Sequence, residues 1–176
     1  KVAFVLQSLT AGGDERVLIT LMNGLDRERF TPEFIVMNNT GPLGSWIAKD
    51  IPIHSLETTR ISRGIGKLAG KLNEIEPDII VSTMAAMNYG VLLAKPLLKK
   101  KAKIVIREAV TPSSIAEAQR FPWLVKSAYK NLYPQADMIL SPARCIINEF
   151  RSYLGMNISQ HILLHNPVDV QKIKST

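Results

Sequence analysis

Short runs of apolar residues alternate along this chain with stretches whose apolar positions recur at helical spacing. Val2-Ala3-Phe4-Val5-Leu6 is apolar at every position, the pattern of a central parallel strand buried on both faces. A glycine turn, Ala11-Gly12-Gly13, follows, and Val17, Leu18, Leu21, Met22 and Leu25 then fall on one face of a helix. Phe34-Ile35-Val36-Met37 is the next strand, and the short, proline-bearing Ile51-Pro52-Ile53-His54 reads as an edge strand. A helix from Ile65 to Ile75 turns Ile65, Leu68, Leu72 and Ile75 inward and stops before Pro77. Ile79-Ile80-Val81 is a fourth strand. A helix from Tyr89 to Lys101 ends in three lysines that suit its C-terminal dipole.

The second half continues the alternation. Ile104-Val105-Ile106 is a fifth strand, Glu108 to Arg120 a long polar connection, and Trp123 to Leu132 a helix. Met138-Ile139-Leu140, a helix from Ala143 to Leu154, and Ile162-Leu163-Leu164 complete the series. Strands alternating with helices imply a doubly wound, mainly parallel α/β sheet of about seven strands in three layers, with right-handed crossovers. Ligands of such sheets sit beyond the carboxyl ends of the strands. The candidate segments are therefore Ser8–Gly13, Asn38–Leu43, Ser82–Asn88, Arg107–Ser114, Ser141–Arg144 and His165–Asp169. Within them Thr83, Asn88, Ser141 and Arg144 are candidate substrate-binding side chains.

Composition narrows the class. The chain has 176 residues, 46% of them apolar, which fits one domain with a sizeable core and excludes disorder. Its single cysteine, Cys145, cannot form an internal disulfide and fits a reducing, cytoplasmic setting. Cys145 opens a helix, which can activate a thiol, although such a cysteine is more often a small apolar residue facing the core. No apolar run approaches the roughly 20 residues that span a bilayer, and the opening KVAFVLQSLT lacks the form of a signal peptide. The net charge of +7 suits an anionic partner. Without a recognisable motif or an arginine-rich stripe, nucleic acid is not the expected one. None of the three histidines lies at metal-ligand spacing from a cysteine or carboxylate, so no metal site is expected.

The loop at Gly12 and Gly13 admits two readings: backbone N–H groups cradling an anion at a helix N-terminus, or a tight strand-to-helix turn that needs glycine. It is neither a dinucleotide fingerprint nor a P-loop, because the third glycine and the Gly-Lys-Ser/Thr ending are absent. The second strand ends in Asn38-Asn39, with no acid to hold a ribose, which argues against a nicotinamide dehydrogenase. A receiver-type module is disfavoured because no acidic residue ends the first strand. Arg107-Glu108, directly after the fifth strand, is the most site-like charged pair. Arg107 could hold a phosphate or carboxylate and Glu108 could bond hydroxyls or assist proton transfer. Both are expected to be at least partly exposed.

Four segments together resemble the amino-terminal domain of family 4 glycosyltransferases. Gly12-Gly13-Asp14-Glu15-Arg16 is similar to the family's Gly-Gly-x-Glu-Arg element. Pro77-Asp78-Ile79-Ile80-Val81-Ser82 and Ala136-Asp137-Met138-Ile139-Leu140-Ser141 resemble its segments entering the fourth and sixth strands. His165-Asn166-Pro167-Val168-Asp169 looks like the Asn-Pro-Val-Asp that closes the domain. The resemblance implies a Rossmann-like domain, the acceptor-binding half of a two-domain GT-B enzyme, with an interdomain linker starting across residues 166–176. It further implies a nucleotide-sugar donor held mainly by a missing C-terminal domain, a glycan or lipid-linked acceptor, a part in polysaccharide biosynthesis, and no activity for this half alone. From their own positions rather than from the resemblance, Gly12 and Gly13 are the candidate cofactor-binding residues, and Arg107 and Glu108 the candidate catalytic pair.

Two positions depart from the family pattern. Asp14 stands where a small residue is common and is suited to cap the first helix. Arg107-Glu108 stands where some retaining members carry a histidine. The alternative to an enzyme is a non-catalytic α/β ligand-binding or regulatory module. Separately, the Phe121–Tyr133 stretch offers Trp123, Tyr129 and Tyr133 as interfacial rings beside Lys126 and Lys130, which would suit an anionic membrane surface. The other reading is a core-packed helix with a solvated lysine face.

Overall fold

A computed structural model of the chain describes residues 1–167. Val168 and Asp169 of the closing motif, and the linker from 168 onward, lie outside the described residues. The strands β1 (Val2–Leu6), β2 (Pro32–Val36), β3 (Ile53–Ser55), β4 (Ile79–Thr83), β5 (Lys103–Arg107), β6 (Met138–Ser141) and β7 (His161–Leu163) form one sheet. Its order is β3-β2-β1-β4-β5-β6-β7, and every neighbouring pair is parallel. The helices are α1 (Gly13–Asn23), α2 (Ile61–Ile75), α3 (Ala85–Ala94), α4 (Pro112–Glu117), α5 (Pro122–Leu132) and α6 (Arg144–Ser152).

The order explains the layers. The chain winds outward from β1 to β2 and β3 in one direction, then returns to build β4 to β7 in the other. Right-handed crossovers therefore put α1 on one face and α2, α3, α5 and α6 on the opposite face. Strand side chains alternate to match. Val2, Phe4 and Leu6 pack with Leu18, Ile19 and Met22 of α1. Ala3 and Val5 join Leu68, Leu72, Val91, Tyr129 and Phe150 in the larger core. Each fully buried aliphatic or aromatic side chain here contributes about 1.5–3 kcal/mol relative to exposure.

The α1 face is not covered across its whole width. Val81 pairs in register with Val105 and Val105 with Met138, while Leu140 pairs with Ile162. Val105, Met138 and Leu140 are only half-buried and Ile162 is exposed. The topology sends no helix across this side of β5 to β7 among the described residues.

Four local expectations are corrected. α2 begins at Ile61 rather than Ile65, and it ends on Glu76 in the left-handed conformation (φ 51°) ahead of Pro77. α3 starts four residues before Tyr89 and stops at Ala94, followed by a 3-10 turn over Lys95–Leu97. Pro96 lacks the N–H that would continue the helix. Lys99, Lys100 and Lys101 thus lie beyond any helix, and Lys100 pairs with Asp78 at 2.8 Å instead of serving a dipole. The polar connection after β5 holds a helix, α4, whose N-cap is Thr111 with Pro112 at its first position, the arrangement proline favours. Finally, Cys145 does not face the core but is exposed.

Candidate functional site

At the carboxyl ends of the central strands, two adjacent residues send their charges to opposite faces of the sheet. Arg107, the last residue of β5, points to the α1 side. Its Nη1 donates to Asp14 Oδ1 at 2.7 Å and to Thr83 Oγ1 at 3.0 Å, and its Nη2 donates to Asn166 Oδ1 at 2.8 Å. One guanidinium thus joins α1, β4, β5 and the segment after β7. Asp14 does not cap α1: Gly12 occupies the N-cap position and no side chain bonds there. The Asp14 carboxylate is engaged by Arg107 instead of by the helix N–H groups.

Glu108 turns the other way, under α5. Its Oε2 accepts the hydroxyls of Tyr129, at 3.0 Å, and Tyr133. Asn88 closes the cluster by accepting from Ser82 Oγ at 2.7 Å and donating to the Arg107 carbonyl at 2.9 Å and to Tyr133 Oη at 3.2 Å. Burial pushes the Glu108 carboxyl up to about 7, against the two tyrosine hydroxyls that favour its charged form. The same burial, with Glu108 beside them, raises the phenols of Tyr133 and Tyr129.

The expectation that Arg107 and Glu108 are partly exposed is corrected. They retain 4% and 1% of their surface. They also make no ion pair with each other, because successive strand side chains diverge. Glu108 in this arrangement cannot touch a ligand in the cleft; its reach is through the tyrosines it holds. Tyr129 and Tyr133 are fully buried, so neither is an interfacial ring.

The remaining candidates separate. Thr83 and Asn88 belong to the buried cluster and are 0% exposed. Ser141, at the end of β6, is buried too, its hydroxyl 2.8 Å from His161 Nε2. Burial, with the nearby Arg151 charge adding to it, holds the His161 imidazole down near 4. Arg144 stands exposed at the start of α6, away from this network. Gly13 is exposed with open space around its Cα hydrogens. Gly12 is required by space rather than by backbone angle: its φ is −73°, yet a Cβ there would lie 2.1 Å from Glu15 Oε2. That buried carboxylate accepts from Thr10 Oγ1 at 2.8 Å.

Beside this cluster, on the same edge, lies a depression of about 450 Å³ lined by Asn38, Glu57, Thr58, Thr59, Arg60 and Arg63. Of these, only Asn38 falls in a segment singled out from the sequence. The β3–α2 loop was legible in principle as one more carboxyl-end connection, but the brevity of β3 hides it. Among the described residues no group of three His, Cys, Asp or Glu side chains could hold a metal ion, and no helix is long and apolar enough to cross a membrane.

No protein-family model matches the chain. It is 28% identical over 98% of its length to the N-acetylgalactosamine-N,N'-diacetylbacillosaminyl-diphospho-undecaprenol 4-alpha-N-acetylgalactosaminyltransferase of Campylobacter jejuni, covering 49% of that protein. A second Campylobacter jejuni enzyme, a GalNAc-alpha-(1->4)-GalNAc-alpha-(1->3)-diNAcBac-PP-undecaprenol alpha-1,4-N-acetyl-D-galactosaminyltransferase, matches at 28% over 56% of the chain and 30% of its own length. Among solved structures, the apo lipopolysaccharide outer core galactosyltransferase WaaB superposes with a TM-score of 0.71 at 16% identity, covering 96% of this chain and 46% of that one. Anabaena HepE in complex with UDP gives 0.72 at 18% identity, over 97% of this chain and 45% of that one. The chain spans about half the length of the first of these curated relatives and of both structures. The relatives it matches are named as glycosyltransferases, and its seven-stranded parallel sheet has the Rossmann-like fold found in about half of each of these structures.

Proposed function

We propose that the chain is the acceptor-binding, amino-terminal half of a family 4 glycosyltransferase. The whole protein transfers a sugar from a nucleotide-sugar donor to a lipid-linked saccharide, in polysaccharide or glycan biosynthesis at the cytoplasmic face of a membrane. The observation that carries this reading is the sequence relation running through 98% of the chain to an enzyme named for a diphospho-undecaprenol acceptor. The half-covered α1 face of β5 to β7 supports a second domain. Apolar residues left half-exposed on a sheet face are ordinarily covered by a further element. In this reading Arg107 holds the cleft edge in register through its bonds to Asp14, Thr83 and Asn166. Glu108 is a positioning residue that fixes the tyrosine layer beneath. The depression at Thr58–Arg63, with two guanidiniums at the start of α2, is the acceptor side of the cleft.

The test is transfer by the chain together with whatever its reading frame encodes downstream. Labelled UDP-N-acetylhexosamine and an undecaprenyl-diphosphate saccharide serve as substrates. Labelled lipid product is expected from the extended protein and none from the 176-residue chain. Turnover by this chain alone, or a downstream frame with no second α/β domain, overturns the reading.

A further inference from the structure

A depression of about 720 Å³ opens at the amino edge of the sheet, where β5 and β6 begin. Arg107 closes the other end of β5, four residues after Lys103, roughly 13 Å along the strand. The depression therefore lies away from the carboxyl-edge cleft. The connection from α3 to β5 makes one wall, and Gln135 and Asp137, just ahead of β6, make the other. Pro96, Leu98 and Ala102 give it an apolar floor, and Leu98 and Ala102 pack on the larger core beneath.

The rim is cationic. Five of the nine residues from Lys95 to Lys103 are lysine and none is acidic. Four of these, Lys95, Lys100, Lys101 and Lys103, line the depression. The fold holds three of them in place. Lys95 Nζ donates to the Gln135 carbonyl at 2.6 Å, and Lys103 Nζ to Asp137 Oδ1 at 2.7 Å. Lys100 Nζ donates to Asp78 Oδ1 at 2.8 Å and to the Glu76 carbonyl at 3.0 Å. An ammonium has three donors, so each of the three keeps at least one free. Lys101 Nζ has no hydrogen-bond or ion-pair partner among the described residues. The second oxygen of Asp137 accepts the Ile104 N–H at 3.0 Å, which commits that carboxylate to the start of the strands. Asp78 and Asp137 offset two of the four rim charges and leave two unanswered.

A concave surface lined by one sign of charge over low-dielectric walls focuses its field and concentrates counter-ions. The size and the apolar floor match small-molecule sites, which enclose about 300–1,000 Å³ and carry few polar groups. Lysine recognises phosphate as a point charge. We propose that this depression is a binding site, separate from the transfer cleft, for a small phosphate ester with a flat or apolar body. The phosphate meets the lysine rim, with the uncommitted Lys101 as its main partner, and the body lies on Pro96, Leu98 and Ala102. Nothing in the proposal depends on the acceptor reading.

The experiment is amide proton–nitrogen correlation NMR of the 176-residue chain, titrated with phenyl phosphate at physiological salt. Inorganic phosphate and phenol, the two halves of that probe, are titrated separately. Saturable shifts are expected at the amides of Leu98, Lys101, Ala102 and Asp137. Phenyl phosphate should bind about tenfold more tightly than inorganic phosphate, through the apolar area it covers, and phenol should leave these amides unmoved. Lys95→Gln and Lys101→Gln should each weaken phenyl phosphate about fivefold, while Lys126→Gln, on α5, changes nothing. The spectrum itself reports whether each variant folds. Should Lys95→Gln disturb the turn it holds to Gln135, Lys101→Gln, which gives up no bond, carries the test. Shifts absent from residues 95–103, shifts gathered beside Arg107 instead, equal affinity for phenyl phosphate and either of its halves, or wild-type affinity in Lys101→Gln overturns the proposal.

Discussion

Arg107 and Asp14 are 93 residues apart in the chain and 2.7 Å apart in the fold. The pair fastens the glycine loop that opens α1 to the end of the central strand β5. The Arg107 side chain is 5% exposed and that of Asp14 is 24% exposed, so water screens the pair only from one side. Removing one partner of a fully buried ion pair costs about 3–5 kcal/mol, because the other charge stays buried alone. Here Thr83 and Asn166 still receive Arg107 hydrogen bonds.

Asp14→Ala is therefore expected to cost about 2 kcal/mol, below that range, and to lower Tm by roughly 4–8 °C. Asp14→Asn, which keeps an acceptor oxygen, should cost about half as much. Urea denaturation of the chain measures both. A change within about 0.5 kcal/mol for Asp14→Ala would mean that Thr83 and Asn166 alone satisfy the guanidinium.

Glu108 gives a pH signature. Its carboxyl lies near 7 in the folded chain, above the ordinary carboxylate value near 4.5 that the unfolded chain restores. Between those values the folded state holds a proton that the unfolded state has released. Stability from this group is thus complete below about pH 4.5 and is lost as pH rises through 7. Glu108→Gln, uncharged at every pH, should abolish that slope and be relatively more stable above pH 7 than below pH 5. Tyr133→Phe removes a hydroxyl from a buried carboxylate and should cost about 1–3 kcal/mol. Chemical denaturation of each variant from pH 4.5 to 8 reads these effects, and a wild-type slope surviving in Glu108→Gln would assign it to another group.

His161 contributes the opposite slope. Burial lowers its imidazole to about 4, from 6.5, so the unfolded chain takes up a proton that the folded chain refuses. Its contribution is complete above pH 6.5 and is lost as pH falls toward 4. Between about pH 4.5 and 6.5 the two groups oppose each other, and the wild-type profile should be flatter there than that of either variant. His161→Asn, which can keep a bond to Ser141, should steepen the loss of stability with rising pH. Glu108→Gln should unmask the loss with falling pH. Identical profiles for both variants would refute the pairing of signs.

The winding of the sheet was legible because its signal is local. Val2–Leu6 is apolar at every position, and such a run has few uses other than a strand covered on both faces. The carboxyl-edge location of Arg107 and Glu108 followed from the same order. Their burial did not, because exposure at a strand end depends on what the following helix lays over it. Tyr129 and Tyr133 look like rings on an amphipathic helix until the fold brings Glu108 beneath them. Asp14 misled for a related reason: a carboxylate in a first helical turn satisfies local capping chemistry, and nothing nearby in sequence announces a guanidinium 93 residues later. α4 was missed although Thr111-Pro112 carries a helix-start signal, since six residues are too few to show a period.

The two glycines of the first loop should respond differently to the same change. Nothing lies within 4 Å of a Cβ placed on Gly13, the first residue of α1, so Gly13→Ala should be neutral or stabilise by about 0.4–1 kcal/mol through the unfolded chain. At Gly12 the backbone angles suit alanine, but the added methyl would strike the Glu15 carboxylate. Glu15 must then swing out and give up its bond from Thr10, at about 1–2 kcal/mol. The origin of that cost is separable by a double-mutant cycle. If the carboxylate is what Gly12 accommodates, Gly12→Ala should cost little in a Glu15→Ala background, leaving a coupling of about 1 kcal/mol or more. An equal cost in both backgrounds would place the requirement in the backbone. The tight-turn reading of Gly12 would then gain over the anion-cradling one.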